Sequence, residues 1–100
     1  MFITELDVND DAVATTNITE RNKIVANAYG SYLTAVLERP QVKAVLTWGV
    51  SDKNTWLNNG TKFRKQHPER LQRPLPFDPD YAPAPAFFAM RDSFDKTGKR

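Results

Sequence analysis

The sequence contains no cysteine, one histidine and four glycines, and its charges nearly cancel at a formal +2. Without cysteine there is no disulfide and no thiolate metal site, and the redox compartment leaves no trace. The single histidine, His67, stands beside Pro68 in a polar stretch with no neighbouring ligand, so it does not mark a metal centre. No cofactor is implied. No apolar run approaches the length that crosses a bilayer. Met1 leads almost at once into strand-forming residues, so no leader segment is read and no membrane partner is expected. A charge of +2 is too small to argue for nucleic acid. The densest basic cluster, Lys62 to Lys65 with Arg70 and Arg73, falls in a loop-like stretch and reads as a solvated surface.

What is present is a chain of 100 residues, 40% of them hydrophobic, which suits one folded domain. A chain this short buries a limited share of its surface, so modest stability is expected. Phe2 to Val8 are rich in β-formers. Simple alternation puts Phe2, Thr4, Leu6 and Val8 on one face and Ile3, Glu5 and Asp7 on the other. Two carboxylates on one strand face are costly in a plain core and fit a polar site. Asn9-Asp10-Asp11 then stops the strand with turn chemistry.

Asn17-Ile18-Thr19-Glu20 has the spacing of a capping box with Asn17 as N-cap. Behind it Ile24, Val25, Ala28, Tyr32, Leu33, Val36 and Leu37 recur at spacings of three and four. That predicts an amphipathic helix with one buried stripe, ended by Arg39-Pro40. Val42 to Trp48 follow as a second strand, apolar over most of its length, as a strand buried on both faces should be. Strand, helix and strand with short connections form a βαβ unit, which predicts two parallel strands and a right-handed crossover.

The second strand runs into Gly49-Val50-Ser51-Asp52-Lys53-Asn54. In α/β folds ligands bind at that carboxyl end. From Asn58 to Pro85 the chain is loop-like, with Asn59-Gly60, a charged run and six of the seven prolines. A structureless stretch of this length is usually functional or disordered. Pro85 suits the first position of a last helix, Ala86 to Phe94, with Phe87, Met90 and Phe94 on its apolar face and Gly98 beyond it. Met90, Phe87 and Phe88 read as core.

Three residues stand out for chemistry. Glu5 is a carboxylate among apolar neighbours, with Asp7 two positions on. Trp48 and Trp56 offer flat apolar faces of the kind that receive the C–H face of a sugar ring, and each indole N–H can donate to a hydroxyl. Core packing is the commoner role for tryptophan, but Trp56 follows the polar stretch Asp52 to Thr55.

These segments resemble family 10 of the glycoside hydrolases, the retaining endo-β-1,4-xylanases. Ile3-Thr4-Glu5-Leu6-Asp7 resembles the seventh strand of that family's (β/α)8 barrel. Thr47-Trp48-Gly49, Ser51-Asp52 and Thr55-Trp56-Leu57 resemble the eighth strand and its loop. Arg73-Pro74-Leu75-Pro76-Phe77-Asp78 and Ala84 to Met90 resemble the closing loop and last helix. Ala84 departs from the family, which often has a basic residue there. The order and approximate spacing match over nearly the whole chain.

The resemblance implies that residues 1–100 are part of a catalytic domain: the seventh and eighth strand–helix units of a TIM barrel, an α/β fold. It implies a secreted enzyme acting on xylan or xylo-oligosaccharides. Glu5 would be the nucleophile and Asp7 part of the polar network supporting it. Trp48 would line the subsite of the scissile sugar, and Trp56 would cover the neighbouring glycone sugar. In the family the general acid comes from an Asn-Glu pair on the fourth strand, and a histidine from the sixth strand joins the network. The sequence has no Asn-Glu pair, and His67 lies in the wrong segment. A barrel of this kind needs about 250 residues. This chain is therefore expected to be inert by itself. Two other roles are a xylo-oligosaccharide-binding remnant without catalysis, and a structural piece that completes a barrel in trans. Open sheet edges invite self-association.

Overall fold

A computed structural model of the protein describes residues 1–10, 13–58 and 71–97. Asp11, the Asn59-Gly60 turn, the Lys62 to Lys65 cluster, His67 with Pro68, Arg70 and Gly98 lie outside the described residues.

Strand β1 (Phe2–Leu6) and strand β2 (Ala44–Thr47) pair in parallel, joined by helix α1 (Ile18–Leu37). The βαβ reading holds. The uniform alternation expected along β1 does not. Phe2 pairs with Ala44 and Ile3 with Val45, but Leu6 pairs with Thr47, so β1 carries one extra residue between its second and third pairs. Such a bulge turns the strand by one position. Ile3 and Leu6, which alternation would separate, both pack on the same core. Glu5 sits in the bulge with φ +59°, in the left-handed region.

Strand β2 is shorter than the predicted Val42 to Trp48 and is not buried on both faces: Leu46 is 51% exposed. The two helices cover one face of the sheet, where Val45 meets the core. On the other face Leu46 is exposed, and none of the described helices covers it.

Helix α1 starts where its cap predicts. Asn17 is extended, and its Oδ1 accepts from the Glu20 amide at 3.0 Å. The reciprocal half of the capping box runs through Thr15. Its hydroxyl donates to Glu20 Oε2 at 2.8 Å and accepts from the Asn17 amide at 3.2 Å. The buried row is Arg21, Val25, Tyr29, Leu33 and Leu37, with Ala26 beside it. Ile24 and Tyr32, assigned to the stripe from their spacing, are exposed, and so is Ala28. Rows four residues apart lie side by side on a helix. The row through Tyr29 faces the sheet, while in the row through Ile24 only Val36, near the end of the helix, packs on the core.

Helix α2 (Pro85–Thr97) begins on Pro85 as predicted and lies against α1. Its side toward α1 is built from small residues. Ala86 and Ser93 are buried, and Ala89 stands opposite Gly30, where an added Cβ would be 3.9 Å from the Ala89 Cβ. The aromatic face points elsewhere. Phe87, Met90 and Phe94 join Val45, Thr47 and Phe77 around an open cleft of about 380 Å³. Phe88, expected in the core, is exposed, with its ring edge-on to Phe87 at 5.3 Å and 5.1 Å from the Arg91 guanidinium.

The described part of the Pro-rich stretch is not structureless. Phe77 pairs with the chain just beyond β2: the Asp52 amide donates to Phe77 O at 2.9 Å, and the Phe77 amide to Val50 O at 3.1 Å. Asp78 closes the next turn, its Oδ1 accepting from the amides of Asp80 and Ala82, each at 2.9 Å.

Candidate active site

Two backbone bonds flank Asp7. The Trp48 amide donates to Leu6 O at 2.8 Å, and the Val8 amide donates to Pro74 O at 3.2 Å. The first continues the parallel pairing past the end of β2 and places Trp48 beside the exit of β1. The second brings the closing segment, residues 71–77, across the same exit. Glu5, Asp7 and Trp48 are thereby gathered at the carboxyl ends of the two strands.

Trp56 reaches the same place from the loop. It opens a 3-10 turn, Trp56–Asn58, held by two buried neighbours, Thr55 and Leu57. Asn58 fastens that turn to the closing segment: its Nδ2 donates to Gln72 O at 2.9 Å, and its Oδ1 accepts from the Gln72 amide at 2.7 Å. From this base the Trp56 indole Nε1–H donates to Asp7 Oδ2 at 2.8 Å. The two tryptophans are about half exposed, at 49% for Trp48 and 51% for Trp56, so neither is a core residue.

Glu5 is exposed, and among the described residues no hydrogen bond reaches its carboxylate. The expectation that put Glu5 and Asp7 on one strand face rested on unbroken alternation, and the bulge removes that basis. Within the described residues Asp7 is joined to Trp56 rather than to Glu5.

Asp52 is buried beneath this surface, 3% exposed. Its Oδ1 accepts from the Leu75 amide at 2.9 Å, and its Oδ2 has no partner among the described residues. Burial pushes its carboxyl up from 3.8 to about 7. Asp10 and Asp78 add to that rise, while the Leu75 amide and Arg73 oppose it. Burial likewise raises the Tyr29 hydroxyl, with the charges of Asp7 and Asp52 adding to the effect. That hydroxyl donates to Pro74 O.

A second buried group went unread in the sequence. Arg21 clasps Asp10 through both Nε and Nη2, and the Asp10 amide donates to Gln72 Oε1 at 3.1 Å. Arg73 Nε donates to Asn22 Oδ1 at 2.8 Å. The closing segment is thus tied to β1, to α1 and to the loop after β2 at once. Its sequence signal was the resemblance of Arg73 to Asp78 to the family's closing loop, which does not reveal these buried contacts. Among the described residues no three His, Asp or Glu side chains are grouped to hold a metal ion.

Parallel strands backed by helices, with carboxylates and tryptophans gathered at the strands' carboxyl ends, describe part of a β/α-barrel enzyme site. The model of glycosyl hydrolase family 10 matches residues 1–93, and the chain belongs to that family. A thermostable celloxylanase of Thermoclostridium stercorarium is 43% identical over 51 residues, covering 51% of this chain and 12% of that protein. The native xylanase 10B of Thermotoga maritima superposes with a TM-score of 0.75 at 26% identity, over 95% of this chain and 26% of that one. Xylanase 10B of Thermotoga petrophila RKU-1, solved with xylobiose, gives the same TM-score, 0.75, and the same coverage at 27% identity. The chain therefore spans about a quarter of the length of the xylanase structures it matches. It is an α/β segment of their barrel, with two parallel strands and their helices.

Proposed function

We propose that this chain carries the nucleophile side of a retaining endo-1,4-β-xylanase site. Glu5 is the nucleophile, and Trp48 and Trp56 are the surfaces that receive the xylose rings. The observation that supports this best is the meeting of Glu5, Asp7, Trp48 and Trp56 at one end of the sheet, inside the stretch that matches the family. The xylobiose held by the Thermotoga petrophila enzyme supports xylo-oligosaccharide as the ligand class. Activity on xylan outside the cell follows from the same reading.

In the reaction the Glu5 carboxylate attacks the anomeric carbon as the glycosidic bond breaks, while a general acid protonates the leaving oxygen. Water then hydrolyses the glycosyl-enzyme with retention. The acid must stand about 5 Å from the nucleophile. The sequence has no Asn-Glu pair of the kind that supplies that acid in the family, so the chain alone is expected to turn over no substrate. The remaining strand–helix units of a family 10 barrel supply the acid when they pack against this one.

The test is hydrolysis of an aryl xylobioside. The expected result is no turnover by the purified chain, turnover on mixing with a chain carrying the first six units, and its loss with Glu5→Gln. Turnover by the chain alone that disappears in Glu5→Gln would overturn the division of labour. A restored activity indifferent to Glu5→Gln would overturn the nucleophile.

The half-exposure of both tryptophans also favours a second reading, binding without catalysis. Tryptophan emission that stays constant up to millimolar xylo-oligosaccharide ends it. The open sheet edges support self-association, read by size-exclusion chromatography: a compact monomer at all concentrations argues against it.

A further inference from the structure

We infer that Asp7 is the positioning residue for Trp56, fixing the plane on which a xylose ring rests. The inference rests on the carbohydrate reading of Trp56 given above and adds the residue that orients it.

The geometry supporting it has three parts. The first is the bond itself. An indole N–H is a donor only, and a carboxylate is its natural acceptor. Asp7 Oδ2 takes this proton at 2.8 Å, the distance of a charge-assisted bond. The second is the rigidity of both ends. The residues on either side of Asp7 are held by backbone bonds, Leu6 to Trp48 and Val8 to Pro74. Trp56 is anchored by buried Thr55 and Leu57 and by the double bond of Asn58 to Gln72. A bond between two mobile loops would orient little; here it joins two fixed points. The third is what the bond leaves free. It holds one edge of the indole while half of the side chain faces solvent. An aromatic platform held before the ligand arrives spares the cost of ordering it on binding.

Glu5 lies in the left-handed region, and Asp7 follows it outside the regular strand pairing. The Asp7 carboxylate is already engaged by the loop after β2, through a contact 49 residues away in sequence. Asp7 therefore couples the exit of β1 to the sugar platform.

The test uses the full chain labelled with nitrogen-15, in which Trp48 and Trp56 give two indole N–H signals, assigned with Trp56→Phe. In Asp7→Ala the Trp56 indole proton should move upfield and exchange faster with solvent, while the Trp48 signal holds its position. Asp7→Asn keeps a carbonyl acceptor and should restore part of the shift. It also carries the test if the alanine variant fails to fold. Titration with xylotriose, followed on the Trp56 signal, should weaken about five- to tenfold in Asp7→Ala and less in Asp7→Asn. A Trp56 indole signal unmoved in both variants overturns the inference, and so does unchanged xylotriose affinity in Asp7→Ala. If the unmodified chain shows no response to xylotriose, the carbohydrate reading falls by itself. The indole shifts then still decide whether Asp7 holds Trp56.

Discussion

Arg21 and Asp10 form an ion pair sealed from water, with Nη2 2.5 Å from Oδ2 and each residue 1% exposed. The pair joins the first turns of α1 to the segment leaving β1. Both Arg21 contacts fall on Asp10 Oδ2, while Oδ1 is buried without a partner among the described residues, so the carboxylate leans on Arg21 alone and either charge without the other is stranded. Arg21→Ala should therefore cost about 3–5 kcal/mol. Replacing both residues with apolar side chains should cost clearly less than the sum of the single changes. Urea unfolding of the single and double variants measures this. Equal and additive losses would show that the two charges do not depend on each other.

Glu5 is a non-glycine residue in the left-handed region, at φ +59° within the β1 bulge. That conformation costs an L-residue about 1–2 kcal/mol, and glycine adopts it freely. Glu5→Gly should stabilise the chain by about 1 kcal/mol, raising Tm by about 4–8 °C, while Glu5→Gln leaves Tm in place. A residue kept at such a position against stability is consistent with selection for its side chain.

Asp52 should make stability fall as pH rises. Its carboxyl titrates near 7 in the folded chain, against 3.8 as the ordinary value. Between those values the folded state holds a proton that the unfolded state has released. The stabilisation is complete below about pH 4 and is lost as pH climbs through about 7. The slope reaches at most about 1.4 kcal/mol per pH unit. Asp52→Asn keeps an oxygen for the Leu75 amide and should flatten the profile over that window. Parallel profiles for the two proteins would contradict the assignment.

Gly49 follows Trp48 at φ +115°, and a Cβ placed there would lie 3.0 Å from Leu75 Cδ1. Backbone and neighbour both oppose a side chain. Gly49→Ala should lose about 1–3 kcal/mol, seen as a lower urea midpoint. Leu75→Ala, which opens the space, should recover only the steric part of the loss when combined with it.

The sequence carried the local elements well, because their signals are local. Asn17 and Pro85 mark the helix starts, and strand, helix and strand in short succession implied the parallel pair. The family resemblance gave Glu5, Trp48 and Trp56 their expected roles, and the structure shows Trp48 paired to the exit of β1 and Trp56 bonded to Asp7 at the same end of the sheet. Three things were not legible. The buried stripe of α1 keeps Val25, Leu33 and Leu37 of the predicted set but takes Tyr29 and Arg21 in place of Ile24, Ala28 and Tyr32, because apolar residues on neighbouring rows look alike in sequence and only packing chooses between them. The bulge at Glu5 leaves no pattern, because one extra residue in a five-residue strand is invisible to a period of two. The buried lattice of Asp10, Arg21 and Gln72, with half-buried Asn22 beside it, is made of polar residues, which look alike whether they are solvated or sealed. Its contacts also span 62 residues from Asp10 to Gln72 and 51 from Asn22 to Arg73.

Those spans set an order in time. A parallel strand pair must wait for its crossover, and a segment fastened to partners 51 and 62 residues away must wait longer still. Closing so wide a loop costs chain entropy that no one of these bonds recovers, so the clasp around Pro74 is expected to form after α1 and the β1–β2 pair exist to receive it. Unfolding should begin at the same place. Amide exchange at Val8, Gln72 and Leu75 should report the first opening, ahead of the middle of α1. The carboxyl end of the sheet would then be the last part of this chain to assemble and the first to come apart.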